Sequence, residues 1–241
     1  GSANFLNVMY QIPPRPMLIK SAGYRAQVQG KIYLATGEAV FQEARIETPF
    51  GGPFDLMGKA NVLTRQIEEL SVKSQSLRLE ALPEYLLPFS DLLPVNWGFS
   101  GESQLDFFAK GDPELLQFSL LVDLTKTTFS YSRYFAKPGG VPFVLRGNLK
   151  LIGARMLRGD FSLEFEEAVL KGSLAGLDLV SGDGELTVLT NKFSLDGWQQ
   201  YVLPFRDFEL SGGLKVLTSV KGNFRRLHEE RVMHHLSVDG L

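Results

Sequence analysis

The stretch HEERVMHH, residues 228–235, gathers all three histidines of the chain beside two glutamates. Imidazole and carboxylate are metal ligands and proton carriers, so this is the first place to look for chemistry. The spacing does not suit it. The helical His-Glu-x-x-His register is missing, and a strand over 231–238 would turn the adjacent His234 and His235 to opposite faces. A solvated surface strand is the expectation, and no metal site is assigned. The acidic pairs Glu166-Glu167 and Glu229-Glu230 are sequence neighbours, which by itself does not set the carboxyl separation a glycosidase needs. The glycine-rich SGDGE at 181–185 lacks the following Lys-Ser/Thr of a phosphate loop and predicts a hairpin turn. Without cysteine there is no thiol nucleophile, disulfide or thiolate metal site. So few histidines leave little material for a nucleophile–base pair. No catalytic residue and no cofactor is assigned, and the chain is not expected to be an enzyme.

The elements tell more than the reactive groups. Apolar residues recur with period two. Phe54, Leu56, Gly58, Ala60 and Val62 alternate with polar neighbours, as do Leu116, Phe118, Leu120, Val122 and Leu124. Phe161, Leu163 and Phe165 repeat the pattern, and so does a run from Phe208 through Leu214 and Val216 to Val220. Successive side chains of a strand point to opposite faces, so each run has one apolar and one wet side. Antiparallel sheets accept that arrangement and buried parallel sheets do not. Turn signals separate the runs: Thr36-Gly37-Glu38, Gly51-Gly52-Pro53, Gly111-Asp112-Pro113, Pro138-Gly139-Gly140 and Ser181-Gly182-Asp183-Gly184. The phase slips at Glu166-Glu167, which requires a turn or bulge there. About a dozen strands are predicted.

Short helices are predicted over 82–93, over 195–203 with Asp196 as cap, and more weakly over 4–10. The first two end in the same heptad, YLLPFSD at 85–91 and YVLPFRD at 201–207. After each heptad, FSGESQLDFFAKG (99–111) and LSGGLKVLTSVKG (210–222) share Ser-Gly and Lys-Gly at equal spacing. An imperfect module written twice, over about 82–111 and 195–222, is the expectation, with a degenerate third copy opening at Tyr10.

The stretch VDLTKTTFSYSRYFAKPGGVPFVLRGNLKL (122–151) resembles the AsmA-like family, in particular its YhdP/TamB-type branch. The matching pieces are Asp123-Leu124-Thr125, the aromatic Tyr134 or Phe135, Lys137-Pro138-Gly139-Gly140 and Pro142. Asp196 and Trp198 resemble that family's Asp-x-Trp segment. The resemblance implies a bridge-like lipid carrier: a mainly β fold whose long curled antiparallel sheet forms an open, taco-like groove with two or three short helices. It implies a periplasmic portion of an inner-membrane-anchored protein, carrying phospholipid by its acyl chains toward the outer membrane.

Composition is compatible with this. The chain has 241 residues, 44% apolar and 22% charged, with a formal net charge of −2. That charge offers no basic field for nucleic acid. No run approaches the roughly 18 apolar residues of a membrane span. Gly1-Ser2 looks like an expression scar, so residues 1–241 are expected to be one fragment of a longer β-groove protein. The expected groove lining is Phe54, Leu56, Leu116, Phe118, Leu120, Val122, Phe129, Phe161, Leu163, Phe165, Leu214 and Val216. The same residues would also fill a closed sandwich or barrel, which alternation alone favours. The resemblance favours the groove. The alternatives are a closed-core structural or interaction module of the cell envelope without lipid and, more distantly, a β-rich enzyme.

Overall fold

A computed structural model describes residues 2–5, 8–12, 15–19, 24–48, 51–78, 80, 97–224 and 232–239, with side chains between 25 and 224 of that range except at 97. The chain is mainly β. In order, the strands are β1 (Ser2–Phe5), β2 (Val8–Ile12), β3 (Arg15–Ile19), β4 (Tyr24–Tyr33), β5 (Glu38–Thr48), β6 (Gly51–Asn61) and β7 (Gln66–Arg78). Then come β8 (Trp97–Ser100), β9 (Glu102–Gly111), β10 (Leu115–Asp123), β11 (Thr128–Tyr131), β12 (Phe135–Lys137), β13 (Phe143–Ile152) and β14 (Met156–Phe165). The last are β15 (Ala168–Asp178), β16 (Asp183–Thr190), β17 (Phe193–Ser194), β18 (Gly213–Asn223) and β19 (Val232–Asp239).

One antiparallel sheet of 14 strands dominates, running β1-β4-β5-β6-β7-β9-β10-β13-β14-β15-β16-β18 with β19 also on β18. The two-residue β17 continues the line of β16 along β18. The sheet is not closed into a barrel. A small sheet, β12-β11-β8, and the hairpin β2–β3 stand apart from it.

The two margins of the large sheet differ. Along one, neighbouring strands are joined by tight turns, at 34–37, 62–65, 112–114, 153–155 and 179–182. Along the other, the chain makes long excursions, between β7 and β9, β10 and β13, and β16 and β18. These excursions carry the small sheet and two 3-10 turns, Trp198–Gln200 and Leu203–Phe205. The Glu166-Glu167 phase slip is a two-residue turn on this margin, with Glu166 at φ 50°.

Several predicted elements are corrected. Residues 4–10 lie partly in strands β1 and β2, so no helix forms there. The 195–203 segment makes only a 3-10 turn, because Gly197 sits at its start with φ 81° and Pro204 follows closely. Asp196 does not cap it, since no side-chain cap bond exists. The strand expected from Phe208 begins only at Gly213, leaving Phe208 exposed in a turn. Gly51-Gly52-Pro53 opens β6 instead of forming a separate turn. The helix over 82–93, and with it the first heptad, lies outside the described residues.

The two copies of the expected module are described only in part, since the first heptad is outside the described residues. Their strand halves are β9 and β18, both running from the margin of excursions to that of tight turns. The second heptad lies in the excursion before β18. Tyr201 is buried, its carbonyl accepts the Ala136 amide at 2.9 Å, and Leu203 N–H donates to the Tyr134 carbonyl at 3.0 Å. The heptad therefore fastens its excursion to β12.

Candidate functional site: one apolar sheet face with a capped end

Cross-strand register decides which alternating runs share a face. One row crosses the sheet as Ala44, Leu56, Val72, Phe107, Leu120, Gly147, Phe161, Gly172, Val188 and Thr218. The next runs Phe41, Gly58, Leu70, Ala109, Phe118, Leu149, Gly159, Leu174, Leu186 and Val220. Neither row contains a charge. Parallel rows carry Phe54, Val122 and Leu163 on one side and Leu116 on the other. Leu214 pairs with Phe193, and Val216 shares its face by alternation. Ten expected lining residues thus fall on one face of one sheet: Phe54, Leu56, Leu116, Phe118, Leu120, Val122, Phe161, Leu163, Leu214 and Val216.

Phe161 shows how closely this face is fitted. Its ring lies over Gly172 on the neighbouring strand, where a Cβ would come within 2.0 Å of the ring. Any side chain at 172 would have to displace the ring. Phe107 and Phe118 meet on the same face with centroids 6.0 Å apart.

Charges occupy the opposite face. Lys59 pairs with Glu38 and Glu68, Lys73 with Asp106, Arg146 with Glu164 and Lys221 with Glu185. Exposure differs between particular positions of the two faces, although Val28 and Ile32 of the edge strand β4 are exposed on the apolar face. On the charged face Met57 is 52% exposed, Leu189 40% and Leu217 41%, whereas the ten lining residues are all half-buried. A flat single layer would expose its two faces alike. The apolar side chains shelter one another along the sheet, whose twist is increased by bulges between β5 and β6, β6 and β7, β14 and β15, and β15 and β16. Few large apolar side chains are fully buried among the described residues. A closed sandwich core would bury them in quantity.

The two remaining expected lining residues belong to a cap. Phe165 is 6% exposed, with ring centroids 5.4 Å from Phe135, 5.7 Å from Phe143, 5.3 Å from Trp198 and 4.9 Å from Tyr201. It ends a row of the apolar face but is sealed by rings from two excursions. Phe129 is not in the large sheet: it sits in β11, 4.9 Å from Phe99 and 6.1 Å from Phe143. Its alternation belongs to a short strand that packs on the end of the face, a distinction that local pattern does not carry.

Two polar groups hold the cap. Lys137 is 1% exposed, and its Nζ donates to the carbonyls of Leu124 (3.0 Å), Thr125 (3.2 Å), Thr127 (2.6 Å) and Pro138 (3.1 Å). Burial pushes its ammonium below the usual lysine range, opposed by the nearby Asp123 carboxylate. This gives the Lys-Pro-Gly-Gly motif a structural role. Tyr201 Oη donates to Glu166 Oε1, joining the heptad to the β14–β15 turn. Burial, then the hydrogen bond and charge of Glu166, push the phenol up to about 12. The Tyr201–Glu166 bond joins residues 35 apart in sequence, whereas the Lys137 contacts lie within 13 residues and depend on how the β10–β13 excursion folds back on itself.

The Tyr201 shift predicts an alkaline signature. The folded value exceeds the unfolded value, so the stability it confers is complete below pH 10 and disappears as pH rises from 10 to about 12. Tyr201→Phe is expected to cost roughly 1–2 kcal/mol at pH 8 and to flatten this part of the profile. Thermal melts of both proteins from pH 8 to 12 check it; parallel profiles would contradict the bond.

A hollow of about 550 Å³ lies against the small sheet beside Phe99, Phe129, Ala136 and Gln200. The apolar face belongs to the large sheet, which does not close into a barrel. No group of three or more His, Cys, Asp or Glu residues is placed to hold a metal among the described residues. No helix there is long and apolar enough to cross a membrane.

No protein-family model, curated protein or solved structure matches this chain.

Proposed function

We propose that the chain holds and carries phospholipid by its acyl chains along the apolar face of the curled sheet. The observation that carries this reading is a charge-free, half-buried apolar face crossing consecutive strands of a sheet that does not close on itself. From β5 to β18 it spans ten strands, about 43 Å at the usual strand spacing. One leaflet of a bilayer has about 15 Å of hydrocarbon, so an extended acyl chain fits along it. Acyl chains need apolar area and no hydrogen bonds, at roughly 25 cal/mol per Å² removed from water. A lining without charges leaves no fixed stop along the gutter.

Together with the AsmA-like resemblance of residues 122–151, this supports a periplasmic segment of an inner-membrane-anchored protein that moves phospholipid between the bacterial membranes. The cap over Phe165 closes one side of the gutter and keeps hydrocarbon from leaving across that margin.

Native mass spectrometry of the purified protein, with organic extraction of the same sample, tests the reading. Co-purifying phospholipid is expected, with occupancy falling at least ~10-fold in Phe118→Glu and Leu163→Glu, since a buried carboxylate in an apolar lining is heavily penalised. Far-UV circular dichroism verifies that each variant folds. A wild-type protein that is lipid-free and also refuses added phospholipid would overturn the proposal in favour of a lipid-free envelope module.

A further inference from the structure

The margin of tight turns carries a second pattern. Turn residues are ordinarily polar or Gly/Pro, and scattered exposed hydrophobics need no explanation. Here they are ordered. Ile32 and Leu34 lie at the β4–β5 hairpin, Val62 and Leu63 at β6–β7, Ile152 at β13–β14 and Val180 at β15–β16. Leu34 is 88% exposed, Leu63 69% and Val180 66%. From β4 to β16 the hairpin tips span ten strands, a strip of about 43 Å.

We propose that this strip is a lip that seats on the surface of a zwitterionic lipid bilayer, its apolar tips entering the headgroup–acyl boundary. The proposal rests on the groove reading and adds the place where lipid enters: the lip is continuous with the apolar face through Leu116, Leu151 and Leu177. Three features favour a bilayer over a protein partner. A single-file strip is poorly matched to the compact patch of roughly 800 Å² per partner that a stable dimer buries, but matches a fluid planar surface. The tips satisfy one another's backbone: Val62 N–H donates to Gly37 O at 2.8 Å, Gly153 to Glu114 at 2.8 Å and Leu179 to Arg155 at 2.9 Å. They therefore bring few bare peptide groups toward hydrocarbon. The charges among them have both signs, Arg65 and Arg155 against Asp112, Glu114 and Asp178, which complements headgroups bearing phosphate and ammonium together. Arg155 Nε donates to Asp178 Oδ2 at 2.7 Å, tying two adjacent tips.

The experiment is flotation of the full chain with phosphatidylcholine vesicles, alongside uptake of monomeric short-chain phosphatidylcholine. Wild type is expected to float. The triple variant Leu34→Ser/Leu63→Ser/Val180→Ser is expected to lose vesicle binding by at least ~10-fold while still taking up monomeric lipid. The control Met57→Ser/Leu217→Ser, on the charged face, is expected to float as wild type does. A Leu63→Trp variant is expected to shift its emission to the blue on vesicle addition. Wild type that takes up monomeric lipid but never floats, or a folded triple variant that floats unchanged, would overturn the lip alone. A wild-type dimer that the triple variant dissociates would also overturn it, assigning the strip to a second copy. Vesicle binding without monomer uptake would support the lip and sink the groove.

Discussion

Phe165→Ala is expected to lower the stability of the protein by about 4 kcal/mol. The side chain is buried and meets four rings: Phe135 from the small sheet, Phe143 from the neighbouring strand, and Trp198 and Tyr201 from the β16–β18 excursion. Truncation removes the transfer energy of the ring and leaves a cavity among groups fixed by their own hydrogen bonds. The Tyr201 carbonyl holds the Ala136 amide, and Tyr201 Oη holds Glu166, so the site cannot simply collapse. The loss should not be confined to one ring. Three separately threaded pieces of chain meet at Phe165, and their tertiary attachment depends on it. Urea denaturation followed by tryptophan fluorescence and by far-UV circular dichroism measures the effect. The fluorescence transition is expected to move to lower urea than the circular dichroism transition, because Trp198 reports the cap and the ellipticity reports the large sheet. Phe165→Leu, which retains much of the volume, is expected to cost clearly less. A cost below 1 kcal/mol for the alanine variant would show that the cap is held elsewhere.

Lys137→Met is expected to cost about 3 kcal/mol, although methionine fits the apolar part of the site. The ammonium is shared by four backbone carbonyls from the β10–β11 and β12–β13 connections and lacks a carboxylate ion pair among the described residues. Methionine takes the ammonium from the Thr127 and Pro138 carbonyls, each of which then carries a desolvation penalty, while the Leu124 carbonyl still accepts from Thr127 and the Thr125 carbonyl from the Gly140 amide. The pH dependence separates this from simple packing. Burial holds the folded pKa below 10.5, so the unfolded chain binds the proton more tightly. Stability in wild type therefore gains from this group as pH climbs from the folded value toward 10.5, and the methionine variant lacks that gain. The Tyr201 loss begins only above pH 10, so the Tyr201→Phe background isolates the lysine signature. Chemical denaturation at a series of pH values reads both quantities. An unchanged midpoint at neutral pH would mean that water replaces the ammonium at the four carbonyls.

Much of the strand content was legible because it is local. Leu116 to Val122 and Phe161 to Phe165 alternate in a way that only a strand satisfies, and the slip at Glu166-Glu167 marks a real turn. The helix expected over 195–203 does not form, for a local reason as well. The 195–203 segment has helical apolar spacing, but Gly197 and Pro204 limit it to single 3-10 turns. The candidate site was legible as a set of side chains and illegible as a surface. Phe118 and Leu149 share a face because of a register set by the whole hairpin stack, and no window of sequence contains that register. Phe129 alternates as convincingly as Phe118, yet it lies in the cap.

The sequence by itself determined one-sided strands, most of their turns and the absence of charge among the expected lining residues. Those properties depend on the two-residue period of the extended chain and on the preferences of Gly and Pro. Tertiary structure alone decided that the one-sided strands stack into a single apolar face, that the excursions gather on one margin and the apolar tips on the other, and that Lys137 and Tyr201 fasten the cap. Apart from the Lys137 contacts, which lie within 13 residues, each of these depends on pairing between residues far apart in the chain. Such contacts form only when the loops between them close, and local preference carries no information about which partner they find.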